Sequence, residues 1–211
     1  MSEGRPTGNA LLLALALVAP ARPLHGQRNV SAGAIVRGTL SFDAKATLGA
    51  FTGTTSTLTG AMTAAGDVRD VRGHVEAPVA TLKTGNGLRD KDLLKAMDAD
   101  SFPNMRFELR GVSSQHEAAD SAVVSLSGQL TLHGVTRDVS IPALARFGKD
   151  GVHVTGSFPL NVRDYGVTRL SKMLGAFKMN QDIVVRIDIV FGPGAEPSPG
   201  ADPAATPPPS D

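Results

Sequence analysis

The feature of this sequence that most restricts its fold is a repeated alternation of apolar and polar residues between positions 35 and 191. From Val124 to Leu132 every second residue is apolar or glycine, and serine, glutamine or threonine stands between them. The same pattern recurs at 71–79, 139–147, 152–160 and 183–191. Since successive side chains of a strand point to opposite faces, this period of two predicts strands with one apolar and one polar face.

Short turns separate these segments, among them Gly53, Gly66-Asp67 and His133-Gly134. Short connections favour antiparallel neighbours, because parallel strands need long crossovers. A single sheet of about eight strands can bury its apolar face by closing on itself. We therefore predict an all-β fold, an antiparallel barrel of about eight strands with one short helix after the fourth or fifth strand. A two-sheet sandwich satisfies the same pattern and is the alternative.

The predicted helix lies between Asn86 and Met97, where Leu93, Leu94 and Met97 have helical spacing. We expect Asp90 to cap it by accepting the free N–H groups of the first turn, and we expect the helix to end before Asp98. A second, weaker helical stretch covers 170–177.

Both ends of the chain differ from this central region. Ten apolar residues at 10–19 are followed by Ala19-Pro20-Ala21, which predicts a signal peptide over 1–26 with cleavage near residue 21 or 26. Ten residues span about 15 Å as a helix, half of a bilayer core. Residues 192–211 hold seven of the fourteen prolines and predict a disordered tail. The barrel domain is thus expected at 27–191, without an integral membrane segment once the signal is removed.

The composition and the motifs of the chain argue against several kinds of catalytic, metal-binding and nucleic-acid-binding site. With no cysteine, the chain has no disulfide, thiolate metal site or cysteine nucleophile. With 21 Lys+Arg against 20 Asp+Glu, it lacks the excess positive charge expected of a nucleic-acid partner. The nearest approach to a zinc helix, His116-Glu-Ala-Ala-Asp120, lacks the second histidine and indicates a polar turn. We expect no catalytic residues, no metal and no cofactor.

The barrel interior remains as the candidate site. Its inward rows contain small residues such as Gly73, Ala77, Gly128 and Gly156, which favour a cavity that would suit an aliphatic chain. A core packed solid by leucine and phenylalanine is the alternative.

Several short segments carry a family resemblance: Gly49-Ala-Phe-Thr-Gly53, Leu82-Lys-Thr-Gly-Asn86 followed by Arg89-Asp90-x-x-Leu93, Phe102-Pro-Asn-Met-Arg-Phe107, Gly128-Gln-Leu-Thr-Leu-His-Gly-Val-Thr136, and Asp164-Tyr-Gly166. In order and spacing they resemble the YceI-like family of exported polyisoprenoid-binding proteins. The resemblance implies a lipocalin-like barrel around a long apolar tunnel. The opening strand of that family is not visible in 28–34, and the proline-rich tail is an addition.

Our leading hypothesis is a periplasmic or secreted, non-enzymatic protein that holds an isoprenoid-type lipid. Tyr165 would contact the lipid head group or pack within a turn, and Phe177 would cover the tunnel mouth. The expected ligand-binding residues are Phe42, Phe51, Phe107, Leu126, Leu130, Ile141, Phe158, Tyr165, Phe177, Ile187 and Ile189. The alternatives are a filled barrel that acts through its surface in envelope stress or interaction, and an enzyme acting on a lipid. The oligomeric state is left open by the sequence, and a homodimer is compatible with it.

Overall fold

The computed structural model describes residues 33–46, 49–63, 70–168 and 179–192. The predicted signal peptide, the weaker helix at 170–177 and all of the predicted tail except Gly192 lie outside these residues. No helix in the described segments is both long and apolar enough to cross a bilayer.

The described chain consists mainly of nine strands and one α-helix. The helix α1 (Gly87–Ala96) lies between the fourth and fifth strands, and short 3₁₀-helices cover Val79–Thr81 and Val162–Tyr165. The strands are β1 (Gly33–Ala46), β2 (Gly49–Thr55), β3 (Thr59–Thr63), β4 (Arg72–Pro78), β5 (Asn104–Glu117), β6 (Ser121–Leu132), β7 (Val135–Gly148), β8 (Gly151–Asn161) and β9 (Asp182–Phe191).

These strands form a closed antiparallel barrel. Each strand from β3 to β9 pairs with the next, and β1 pairs with β9 to close the ring. Leu40 lies opposite Thr55 on β2 and Ala34 lies opposite Ala61 on β3, in one continuous register. β2 and β3 are therefore two halves of a single strand interrupted at 56–58, and the barrel has eight strands. The predicted all-β barrel with one helix is confirmed, and the sandwich alternative is wrong because a sandwich would leave β1 and β9 unpaired.

The closing strand β1 begins where the sequence shows no clear strand pattern. Gly33 and Ala34 pair with β3, and the stretch from Ile35 to Asp43 pairs with β9. On the outer face, the Asp43 carboxylate accepts a hydrogen bond of 2.7 Å from the Thr52 hydroxyl and another from Arg186. These two bonds keep the pKa of Asp43 below its usual value, and they join β1 to both of its neighbours.

The residues predicted to face inward do so. Ala122 and Val124 of β6, Ile141 and Ala143 of β7, and Phe158 of β8 are buried, while residues between them are more exposed. The core divides into two apolar clusters. One lies at the end of the barrel that carries α1, which we call the helix end, and the other lies at the opposite, far end.

The helix α1 is capped by Asn86 rather than by Asp90. The Asn86 side chain accepts hydrogen bonds from the N–H groups of Leu88 and Arg89, at 3.0 and 3.1 Å. Asp90 already lies within the first turn, and its carboxylate accepts instead from the backbone and the hydroxyl of Thr84. These bonds hold the pKa of Asp90 below its usual value, with the hydroxyl bond contributing most. The predicted end of the helix before Asp98 is confirmed.

Replacing the Asn86 side chain should destabilise the first turn of α1. We expect Asn86→Ala to lower the free energy of unfolding by about 1 kcal/mol, because two N–H groups of the first turn lose their partner. Urea unfolding followed by circular dichroism measures the change. The control Lys91→Ala alters an exposed position of the same helix and should change stability by less than about 0.5 kcal/mol. Equal stability of Asn86→Ala and the native protein would show that the cap does not contribute.

Candidate functional site

The barrel encloses two apolar cavities, one in each half. The helix-end chamber has a volume of about 140 Å³ and the far chamber about 90 Å³. Their walls expose only apolar atoms. An apolar cavity of about 150 Å³ lined by Leu, Ile and Phe remains dry and binds benzene. Each chamber can therefore take up part of a hydrocarbon chain.

The helix end of the tunnel is covered by α1. Leu93 of α1 and Met97, the C-cap residue four positions later, lie on the same face, and both contribute to the wall of the helix-end chamber. Arg89, on the same helix, lies over the ring of Phe51 with its guanidinium carbon 4.3 Å from the ring centre. Phe51 in turn packs edge-on against Phe42, a chamber wall residue. This contact series fixes the helix to the barrel.

Phe107 lies between the two chambers. Together with Val75, Ile187 and Ile189 it lines both of them. A Cβ atom on Gly128 would lie 2.8 Å from the Phe107 ring and 2.2 Å from the carbonyl oxygen of Glu108. The absence of a side chain at Gly128 therefore lets the ring lie flat against β6, in the middle of the tunnel.

Many wall residues are only half-buried although they point into the barrel. Leu126, Leu130, Phe107 and Ile187 belong to this group. In a packed core such side chains would be surrounded by neighbours on every side. Here they border empty space, so the described residues do not fill the barrel completely.

The structure places most of the sequence-predicted binding residues in these walls. Phe42, Leu130, Ile141 and Phe158 line the helix-end chamber, and Leu126 lines the far chamber. Phe107, Ile187 and Ile189 line both. Phe51 supports Phe42 from outside the wall, Tyr165 lies outside the chambers near their helix end, and Phe177 falls outside the described residues.

Sequence reasoning missed part of each wall. Leu82, Leu93, Met97 and Met179 line the helix-end chamber from α1 and from segments outside the main strands. The spacing of Leu93 and Met97 predicted a shared helical face but not the direction that it would point, because the position of a helix over a barrel end depends on distant contacts. In the far chamber, Val71 and Val152 follow the predicted alternation but were not singled out, and Met62 lies on β3, outside the alternating segments.

Few ionisable groups lie near the chambers. Arg106 contributes to the helix-end wall, and its guanidinium is bound to the Glu76 carboxylate at 3.2 Å. His74 contributes to the far chamber. Tyr165 is almost fully buried, and burial raises the pKa of its hydroxyl, which therefore stays protonated at neutral pH. An environment of this kind favours binding of an uncharged chain.

An antiparallel eight-stranded barrel around an apolar tunnel defines the class of lipocalin-like binding barrels. The sequence model of the YceI-like domain matches residues 35–191, which is most of the chain. This protein belongs to the YceI-like family, as the resemblance in its motifs predicted.

Solved structures show the same fold at low sequence identity. BcnA from Burkholderia cenocepacia has a TM-score of 0.63 and 12% identity, over 72% of this chain and 95% of that protein. A polyisoprenoid-binding domain from Saccharophagus degradans, implicated in plant cell wall breakdown, has a TM-score of 0.65 and 13% identity, over 78% of this chain and 99% of the domain. A mutant of the Campylobacter jejuni YceI protein has a TM-score of 0.53 and 20% identity, over 68% of this chain and 85% of that protein. No match was found among curated proteins.

Removing the ring between the chambers should join them. We expect Phe107→Ala to bind longer straight-chain alcohols more tightly than the native protein does, by up to about 0.8 kcal/mol per additional buried methylene. Calorimetric titration with a series of alcohols of increasing length measures this gain. Stability should fall by about 3 kcal/mol, since a large apolar side chain is lost.

The matched control is Phe102→Ala. Phe102 packs against the His133 ring at 5.1 Å and lines neither chamber. We expect Phe102→Ala to leave the dependence of affinity on alcohol chain length unchanged. If affinity increases with alcohol chain length by the same amount in the native protein and in Phe107→Ala, Phe107 does not separate the chambers.

Proposed function

We propose that this protein is an exported binding protein that holds a polyisoprenoid or a similar amphiphilic lipid in its two chambers, for carriage or sequestration. The observation that carries the proposal is the continuous series of apolar walls, from α1 to the far end, around space that the described side chains leave empty. Burial of each methylene group there is favourable by about 0.8 kcal/mol. The signal peptide expected at 1–26 supports an envelope location.

Membership of the YceI-like family and the similarity to a polyisoprenoid-binding domain both support a lipid ligand. The chemistry of the walls supports binding rather than catalysis. General acid–base or nucleophilic catalysis needs polar groups that converge on one point of the cavity. The chamber surface formed by the described residues exposes no polar atom. Phe42, Phe107, Leu126, Leu130, Ile141, Phe158, Ile187 and Ile189 are the proposed contacts to the lipid chain.

The direct test is to identify what the protein carries. We expect the full chain, purified from the exported fraction of its host without added lipid, to release a prenyl lipid in about equimolar amount on extraction with organic solvent. Mass spectrometry of the extract identifies it. Host lipid extract applied to the emptied protein provides the control for loss during purification. Failure to retain any prenyl lipid in both experiments would refute the proposal.

A charge placed in the tunnel should abolish retention. We expect Leu126→Lys to retain less than about a tenth of the lipid held by the native protein, because an ammonium group cannot be desolvated in an apolar wall without a partner. The amount of lipid per folded protein is measured by extraction, with circular dichroism as the check on folding.

Val123→Lys is the matched control, since Val123 lies on the same strand with its side chain exposed on the outer face. It should retain the lipid fully. Full retention by a folded Leu126→Lys protein would contradict the proposed position of the lipid chain.

A further inference from the structure

The pairing of β7 with β8 stops halfway along both strands. Ala143 to Gly148 pair with Gly151 to Gly156, and no pair joins the two strands beyond Ala143 and Gly156. Over the remaining part, residues 135–142 pair only with β6, and residues 157–161 pair only with β9. The barrel therefore has a seam without ladder hydrogen bonds at its helix end.

Two prolines account for this break. If the register of the paired half continued, Pro142 would lie opposite Ser157, and Ser140 would lie opposite Pro159. Proline has no N–H group to donate and is therefore found at strand edges rather than within a ladder. The sequence itself thus prevents these two strands from pairing over their full length.

A cleft of about 510 Å³ occupies the open seam. It lies between Thr136–Val139 of β7 and Pro159–Asn161 of β8, beside Asp164 and Tyr165. Leu160 belongs to the walls of both this cleft and the helix-end chamber. Leu160 therefore lies between the helix-end chamber and the cleft.

Polar groups surround the outer side of the cleft. The guanidinium of Arg137 donates a hydrogen bond from Nε to the carbonyl oxygen of Asp164, which links β7 to the 3₁₀-helix that follows β8. Tyr165 lines the same cleft, and its backbone carbonyl oxygen accepts a hydrogen bond of 3.1 Å from Nδ1 of His133. An apolar interior behind a polar opening is the arrangement that an amphiphile requires, with its chain inside and its head group outside.

The volumes of the chambers also indicate that part of a bound amphiphile lies outside them. At about 140 and 90 Å³, they hold part of a long prenyl chain but not a whole molecule with its head group. The remaining part must leave the barrel. The cleft adjoins the larger chamber through Leu160, whereas Leu93 and Met97 of α1 cover the helix end itself.

We propose that the unpaired half of the β7–β8 seam is a lateral portal through which the lipid chain enters and leaves the helix-end chamber, closed by Leu160. The head group of the bound lipid then lies in the cleft, beside Arg137, Asn161 and Tyr165. This inference rests on the proposed lipid-binding function and specifies the route by which the lipid enters and leaves the barrel.

The natural absence of cysteine allows the portal to be locked by a cross-link between two introduced cysteines. Asp138→Cys/Asn161→Cys places one thiol on each wall of the cleft and keeps both prolines. A bis-maleimide with an internal disulfide bridges the open seam between them and is cleaved by reduction. The control Leu144→Cys/Thr155→Cys, treated with the same reagent, joins a pair that is in register in the closed half of the same strands. Mass spectrometry establishes bond formation in each protein.

The measurement is the rate at which the emptied full-length protein takes up N-phenyl-1-naphthylamine, an uncharged dye that fluoresces in apolar surroundings. We expect cross-linking of Asp138→Cys/Asn161→Cys to slow uptake at least about tenfold, and reduction of the linker to restore it. Cross-linking of the control pair should leave the rate unchanged. Equal rates in the cross-linked and reduced seam variant would overturn the portal.

A second pair of variants tests Leu160 without a disulfide. Leu160 and Leu132 both line the helix-end chamber and are both buried, but only Leu160 also borders the cleft. We expect Leu160→Ala to release the dye several-fold faster than Leu132→Ala, although both enlarge the chamber. Equal release from the two variants would contradict the role of Leu160. The two proposals can fail separately. If the protein retains a prenyl lipid but locking the seam does not change the rate of dye uptake, the portal is refuted and the proposed function is not. If locking the seam slows dye uptake but the protein never retains a prenyl lipid, the proposed function is refuted and the portal is not.

Discussion

The structure depends on one geometric constraint: in a closed ring of eight strands, every second side chain points into a space of fixed width. The ring closes because β1 pairs with β9 along Ile35 to Asp43, with Asp43 and Arg186 bound to each other outside it. Once the circumference is set, side-chain size decides whether the interior is filled. Of the small inward residues, Gly73 lines the far chamber and Ala77 lines the helix-end chamber, whereas the space at Gly128 is occupied by the Phe107 ring.

The alternation in the sequence predicted β4 and β6 to β9, and together with the short turns it predicted the antiparallel barrel and most of the strand residues in the chamber walls. It worked because orientation within a strand is local information: Leu126 and Leu130 must lie on the same face whatever the rest of the chain does. The cap of α1 was predicted wrongly for a related reason. Asn86 and Asp90 can both accept from free N–H groups, and only the folded position of Thr84 shows that Asp90 has another partner.

Features that depend on contacts between distant segments could not be predicted in this way. The wall formed by Leu93 and Met97 requires α1 to lie over the barrel end, which depends on the contact of Arg89 with Phe51. The division of the tunnel by Phe107 depends on Gly128, twenty-one residues further along the chain and on the neighbouring strand. The common effect of Pro142 and Pro159 appears only when β7 and β8 lie side by side.

The position of the unpaired seam is consistent with the proposed lipid-binding function. A fully hydrogen-bonded ring would protect its contents well, but each exchange of ligand would then require an end of the barrel to open. At the helix end, opening would separate Leu93 and Met97 from the chamber and Arg89 from Phe51. Along the described part of the seam no ladder bond has to break, and the contacts that oppose separation include the packing of Leu160 and the Arg137–Asp164 hydrogen bond. Two prolines thus confine the weak part of the barrel to one short stretch, while the paired half of the same strands keeps the ring closed.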